Sequence, residues 1–365
     1  MRLSNLSTLS LLTVLGVAAV LLGGSALFVQ LKAQNKVANH TVSEIASQKP
    51  ADDEIFWRAY ITQVGGVQAY KQFSNAVARV PVQLQHSKAH IFGRLLYEVE
   101  GIKGFQACDM QFSMGCYHEF FAQAIARNGR AAITQFGEVC ASLPVIDKGN
   151  CRHGIGHGIQ SWLGYTPADL VEGIALCAGL PGADTDAYGG CVSGLYMEYN
   201  LRTMIASSTS IRTLVEGDYN APCDSVLPGD QSVCAFWLPS WWYLLQSHKT
   251  TPTSQVDFAE LGDRCRALPF SLEVKNSCFR GIARNVVSGE ASSTPSGATA
   301  CDIASETVDE KRLCRSFLAL IYFNLGKPQA AESACAGLQA EALLYCKSFA
   351  SGKVDFPHMT PLIEI

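Results

Sequence analysis

Apolar residues recur at helical spacing along most of this chain. The first clear run follows Asp52-Asp53-Glu54, acidic residues suited to a helix N-terminus. Ile55, Trp57, Tyr60 and Ile61 come next, and Gly65-Gly66 interrupts the run before a second one, Val67 to Ala78. The cadence of helix, glycine turn, helix then repeats. Its turns read Gly66-Val-Gln-Ala69, Gly129-Arg-Ala-Ala132 and, in a longer form, Gly164-Tyr-Thr-Pro-Ala168. Alternation of period two between turn dipeptides is rare, so the expected fold class is all-α. The pattern predicts helix pairs over 53–80, 82–110, 113–142, 150–179, 189–225, 233–267, 277–303 and 311–337, with a capping helix to 352 and a tail over 353–365. Segments 181–189, 247–256 and 290–299 are rich in small and turn-forming residues and read as loops.

One apolar stretch is of another kind. From Leu9 to Leu31 there is no charge, and the run is long enough to cross a bilayer as a helix. It predicts an uncleaved signal-anchor over 9–31, a short cytoplasmic N-terminus over 1–8 and a polar tether over 32–51. A cleaved signal peptide is the rival, because Gly23-Gly24-Ser25-Ala26 is small enough for a cleavage site. Arg2 before the run and Lys32 and Lys36 after it are too balanced to set orientation.

The cysteines supply what the charges do not. All fourteen fall into seven successive near pairs: Cys108/Cys116, Cys140/Cys151, Cys177/Cys191, Cys223/Cys234, Cys265/Cys278, Cys301/Cys314 and Cys335/Cys346. Gaps within pairs are 8, 11, 14, 11, 13, 13 and 11 residues by subtraction, and the second cysteines recur every 32 to 44 residues. That period is the range of helical solenoids. One disulfide per repeat is expected, stapling the end of each helix pair to the start of the next. Scattered thiols would not alternate long and short gaps so steadily, and structural zinc needs tighter Cys-x-x-Cys spacing. Disulfides at this density require an oxidising compartment, so the domain over 52–352 is expected in the periplasm or an extracytoplasmic space.

Paired helices, glycine turns and segments such as Ala107-Cys108-Asp-Met-Gln-Phe-Ser-Met-Gly115-Cys116 resemble the cysteine-rich branch of the tetratricopeptide and Sel-type repeat families. Asn324-Leu-Gly-Lys-Pro-Gln-Ala-Ala331 is similar to the tetratricopeptide inter-helix turn. The resemblance implies an α-solenoid of about eight helix pairs, closed repeat by repeat with local disulfides, whose first helices line a concave face. Those families are mostly interaction scaffolds. The repeat spacing here varies by several residues, and the full tetratricopeptide consensus is absent.

Five of eight histidines lie in one part of the array. His86 and His90, and His153 and His157, have i,i+4 spacing and so share a helix face. His118 and His153 each stand two residues after an opening cysteine, and His157 stands six after. Stepping back one repeat gives His86 and His90 the same two places. The pattern predicts a histidine column on three neighbouring helices, fit for zinc, iron or copper. Glu119 beside His118, and Glu198, seven after Cys191, are the candidate catalytic carboxylates; Glu98 stands further along the second repeat. Gly154, Gly156 and Gly158 in Cys151-Arg-His-Gly-Ile-Gly-His-Gly each cost about 1 kcal/mol in a helix. They either clear space for a ligand or let a neighbouring helix approach.

Past Cys191 the same columns become basic and aromatic. Arg280 and Arg284 occupy the histidine places after Cys278, and Trp237 and Trp241 lie in Cys234-Ala-Phe-Trp-Leu-Pro-Ser-Trp-Trp-Tyr243. With Tyr196 they are candidate ligand-binding residues for a peptide, a protein or an anionic envelope ligand in the groove; core packing is the alternative for the aromatics. Pro239 is a candidate kink. The net charge of −4 gives no support for a nucleic-acid partner. No Gly-x-Ser-x-Gly elbow, Walker loop, dinucleotide fingerprint or His-Glu-x-x-His occurs. The expectation is a membrane-anchored helical-repeat protein with a His-rich metal site, as a metal-dependent hydrolase or oxidoreductase. A non-catalytic scaffold and a metal storage or delivery protein are the alternatives.

Overall fold

The computed structural model describes residues 50–361 except 81, 110, 144, 182–189, 205–211, 213–216, 250–255, 290–296 and 356–359. The segments expected over 1–8 and 9–31, and the tether up to residue 49, lie outside the described residues. Among the described residues no helix is long and apolar enough to cross a membrane. The fold is all-α, with fifteen α-helices among the described residues. The chain divides into two compact units, up to Ser113 and from Met114.

In the first unit, helices α1 (Pro50–Val64), α2 (Gly66–Val77) and α3 (Val82–Glu100) pack on one another and on a 3-10 turn, Gly101–Ala107. Their core is aromatic: the Phe73 ring lies 4.5 Å from Phe92 and 5.3 Å from Trp57. The start of α2 is capped from a distance, because the Gly66 amide donates to Glu100 Oε1 at 2.5 Å. The second helix expected near 100–110 is replaced by that 3-10 turn.

The second unit is built in two rows. Helices α4 (Gly115–Asn128), α6 (Val145–Leu163), α8 (Cys191–Leu201), α9 (Gln231–Lys249), α11 (Leu272–Gly289), α13 (Val308–Asn324) and α15 (Ala340–Ala350) pack each against the next. Helices α5 (Arg130–Ala141), α7 (Pro167–Ala178), α10 (Phe258–Ala267), α12 (Gly297–Ala304) and α14 (Pro328–Ala334) each bridge two neighbours of that row. Local sequence explains the breaks. Thr166 and Thr307 form capping boxes with Asp169 and Glu310, the first followed by Pro167 at a position where its missing N–H costs nothing. Gly129, between α4 and α5, has φ of 54°, a conformation open to glycine but strained for other residues.

All fourteen cysteines are in disulfides and none is free. The bonds Cys140–Cys151, Cys177–Cys191, Cys265–Cys278 and Cys301–Cys314 each tie a second-row helix to the next first-row helix. Cys335–Cys346 does so from the turn after α14, and Cys223–Cys234 from a turn segment. Each closes a loop of 11 to 14 residues, worth on the order of 2–3 kcal/mol in the loop-entropy picture.

Several boundaries differ from the pattern. Between α8 and α9 the described residues hold turns and a 3-10 helix, Pro228–Asp230, where a second helix of the 189–225 pair was expected. The loops expected over 247–256 and 290–299 are shortened, α9 running to Lys249 and α12 starting at Gly297; most of 181–189 lies outside the described residues. Helix α9 continues through Pro239. In the tail, Val354 and Asp355 pair antiparallel with Pro361 and Thr360.

The helical glycines settle one alternative. A Cβ on Gly156 would lie 2.0 Å from the Cys191 carbonyl oxygen, and one on Gly194 2.0 Å from that of His153, so α6 and α8 meet backbone to backbone. Gly154 faces the Phe121 ring and Gly158 the Ala122 amide of α4. These glycines admit neighbouring helices and do not clear space for a ligand. Gly194→Ala must push α8 off α6, and a loss of about 1–3 kcal/mol is expected in urea unfolding. Gly229→Ala, with nothing within 4 Å, is expected to stay within about 0.5 kcal/mol.

Candidate metal centre

Helix α6 carries the centre. Every residue from Cys151 to Ser161 is buried, as suits a helix packed on α4, α5, α7 and α8. His153 and His157 leave α6 one turn apart, and their Nε2 atoms face each other at 3.2 Å. His118, from α4, lays its ring 4.5 Å from that of His157. One ligand nitrogen from each of the three lies within 4.8 Å of the others, and the residues His118, His153 and His157 are 2, 6 and 0 % exposed.

Glu198 enters from α8, which the Gly156–Gly194 crossing holds against α6. Its Oε2 accepts from His157 Nδ1 at 3.1 Å. A carboxylate only accepts, so His157 holds a proton on Nδ1 and turns Nε2 toward His153. Glu198 also accepts from Tyr165 Oη (2.5 Å), Thr203 N (2.9 Å), Thr203 Oγ1 (2.7 Å) and Met204 N (3.2 Å). The two amides reach it because Arg202 ends α8 in the left-handed region, φ 46°. Burial pushes Glu198 up, but the bond and charge of His157 and the Tyr165 and Thr203 bonds outweigh it and hold the carboxyl below its ordinary value. His153 is held well below its usual value by burial first, then by His157 and Arg284, against the opposing Gly190 carbonyl.

Within the second unit, three of the five histidines expected at one site, His118, His153 and His157, come together. In the first unit His86 Nδ1 donates to the Phe112 carbonyl at 2.8 Å, and its Nε2 meets His90 Nε2 at 2.9 Å. Glu98 does not join the histidines; it pairs with Arg58 and with Arg94 at 3.2 Å. Of the expected catalytic carboxylates, Glu119 is fully buried and accepts from Gln123 Nε2 at 3.0 Å, while Glu198 lies behind His157, on the Nδ1 side.

Trp237, Trp241 and Tyr196 are buried in the second unit and form no open stacking surface. Trp237 donates to Ser193 Oγ at 3.0 Å, stands 6.2 Å from the His153 ring and lies 4.3 Å under the Arg284 guanidinium. Burial lowers Arg284 to about 10. Arg280 is half-buried, and the acids considered for these arginines are engaged elsewhere, Glu260 with Arg264 and Asp263 with Arg266. Tyr165 and Thr203 had no signal in the sequence beyond the inter-helix turn at Gly164 and the end of α8.

No family model matches the chain, and comparison with curated proteins and with solved structures gives no match. What stands is a disulfide-rich helical protein of an oxidising compartment with a histidine triad positioned to hold a metal ion.

The neutral His153 has a consequence for the metal-free protein. Below its ordinary value of 6.5 the unfolded chain takes up a proton there that the folded chain does not, so stability falls as pH drops through 6.5. Urea midpoints from pH 7 to pH 5 are expected to show this loss at about 1 kcal/mol per pH unit, and His153→Gln to remove that share of the slope. An identical slope in the variant would mean that His153 protonates within the fold.

Proposed function

We propose that the protein is an extracytoplasmic metal-dependent protein, an α-solenoid of disulfide-closed helix pairs whose second unit holds one ion on His118, His153 and His157. The observation that carries this reading is the facing pair of Nε2 atoms at 3.2 Å with the Nδ1 of His157 held by a buried carboxylate. Carboxylate–histidine pairs of this kind fix ring orientation and raise the basicity of a metal-bound imidazole. Glu198 thus takes an orienting role in place of the catalytic one expected for it.

Three imidazoles with a position left for water suit zinc first and iron or copper next. Bound there, such an ion supplies Lewis acidity and an acidified water, the chemistry of a metal-dependent hydrolase acting on an envelope or secreted substrate. The residues' part is to offer ring nitrogens from two helices, to keep the triad dry and, through Glu198, to orient His157. The uncleaved anchor over 9–31 belongs to the same proposal. The burial of all three histidines, exposed by 6 % or less, supports a second reading, in which the ion clamps α4 to α6 and meets no substrate.

Elemental analysis of the oxidised protein, prepared without a histidine tag, is expected to give near-stoichiometric metal that is lost in the His153→Ala, His157→Ala variant with helicity retained. No metal after reconstitution with zinc, iron and copper would sink the proposal. Glu198→Gln is expected to weaken metal binding about 10–100-fold in a competition titration. Azide added to the cobalt-substituted protein separates the two readings: a changed visible spectrum means an open position, and an unchanged one means a closed structural site.

A further inference from the structure

A second polar cluster lies in the second unit, apart from the histidines and unused by them. Arg212 is 5 % exposed, and its guanidinium carbon stands 4.5 Å over the Trp241 ring and 5.3 Å over that of Tyr199. It donates to Asn200 Oδ1 and to the Ala221 carbonyl. Both acceptors are neutral, and among the described residues Arg212 forms no ion pair. Burial lowers it to about 10, against the opposing charges of Tyr199, Asp218 and Asp224.

The donors around this guanidinium are also unmatched. Asn200 Nδ2 and Trp241 Nε1 are buried and meet no acceptor among the described residues. Tyr196, one turn before Asn200 on α8, has a fully buried hydroxyl in the same condition; Asp230 is the acid whose charge it senses. A buried charge without an ion-pair partner, and each buried donor without an acceptor, costs folding free energy. One acceptor-rich anion offsets both kinds of cost at once. The near-complete burial of the site limits that anion to a small one.

We propose that Arg212, Asn200 and Trp241 form a binding site for a small oxyanion, a carboxylate or a phosphate, held by the guanidinium, the amide N–H₂ and the indole N–H. The site is independent of the metal reading, because it shares no residue with the triad or with Glu198. Trp241 returns as a ligand-binding residue here, in an enclosed site and not on a peptide-docking face.

The test uses the full chain with disulfides intact, treated with chelator so that an anion on a metal is not read. Melting temperature is followed while sodium phosphate or sodium acetate replaces chloride at constant ionic strength. A saturable rise with either anion is expected, and which anion gives it separates phosphate from carboxylate. Trp241→Phe keeps a ring and removes the N–H; read against the variant's own anion-free melting temperature, it is expected to weaken the anion's apparent affinity about tenfold. Asn200→Asp supplies an internal carboxylate to Arg212 and is expected to abolish the response. No saturable rise with either anion, or the same response in wild type and both variants, would overturn the proposal.

Discussion

The second unit depends on the contact of α6 with α8. Where Gly156 and Gly194 meet the facing backbones, a single methyl would lie 2.0 Å from a carbonyl oxygen, so any other residue drives the helices apart. The glycines lower helix propensity by about 1 kcal/mol each, and that cost is offset by interhelical packing that no side chain could mediate at this spacing. The histidine triad follows from the contact. Glu198 reaches His157 because α8 lies flush on α6, and His118 reaches both α6 histidines because Gly154 and Gly158 let α4 approach from the other side.

The disulfides address a different problem. A repeat whose helices contact mainly their neighbours has few long-range contacts to fix the angle between one pair and the next. A bond from the end of a second-row element to the first turns of the following first-row helix fixes it locally, and Cα–Cα distances of 5.5 to 5.7 Å recur at all six bonds described by residue. The glycines follow the cysteines. Gly194 and Gly281 each stand three residues after the disulfide cysteine of a first-row helix, Cys191 and Cys278, and each meets a carbonyl of the preceding one, His153 and Phe236. Staple and close contact together set the same register twice along the unit.

Pairing and helix class were legible because both are local: cysteine spacing, glycine turns and Thr-capped starts are read within one repeat. The i,i+4 histidines were legible for the same reason. Which face a residue occupies was not. From Cys151 to Ser161, and again from Val233 to Trp242, every residue is buried, so neither helix has an apolar stripe to separate inside from outside. The aromatics of α9 therefore read as a groove lining when they are interior. Glu198 read as a catalytic acid because its spacing placed it near the histidines. Which side of the His157 ring it meets is set by the α6–α8 contact. Arg212 carried no signal, since its partners come from α8, α9 and a turn.

Glu198 and Arg212 show how differently one interior treats its charges. Five hydrogen bonds converge on the Glu198 carboxylate, enough to keep it ionised despite complete burial. Beside it, burial keeps His153 neutral, so protons compete weakly for the nitrogens that face one another. A dication held there by three deprotonated imidazoles would also face one fixed negative charge. It would leave a net +1 in the interior, where three imidazoles without Glu198 would leave +2. In a medium of low dielectric that difference favours retention of the ion. Arg212 has the opposite sign and no such set of partners, so the one structural argument points to a cation at the first place and an anion at the second.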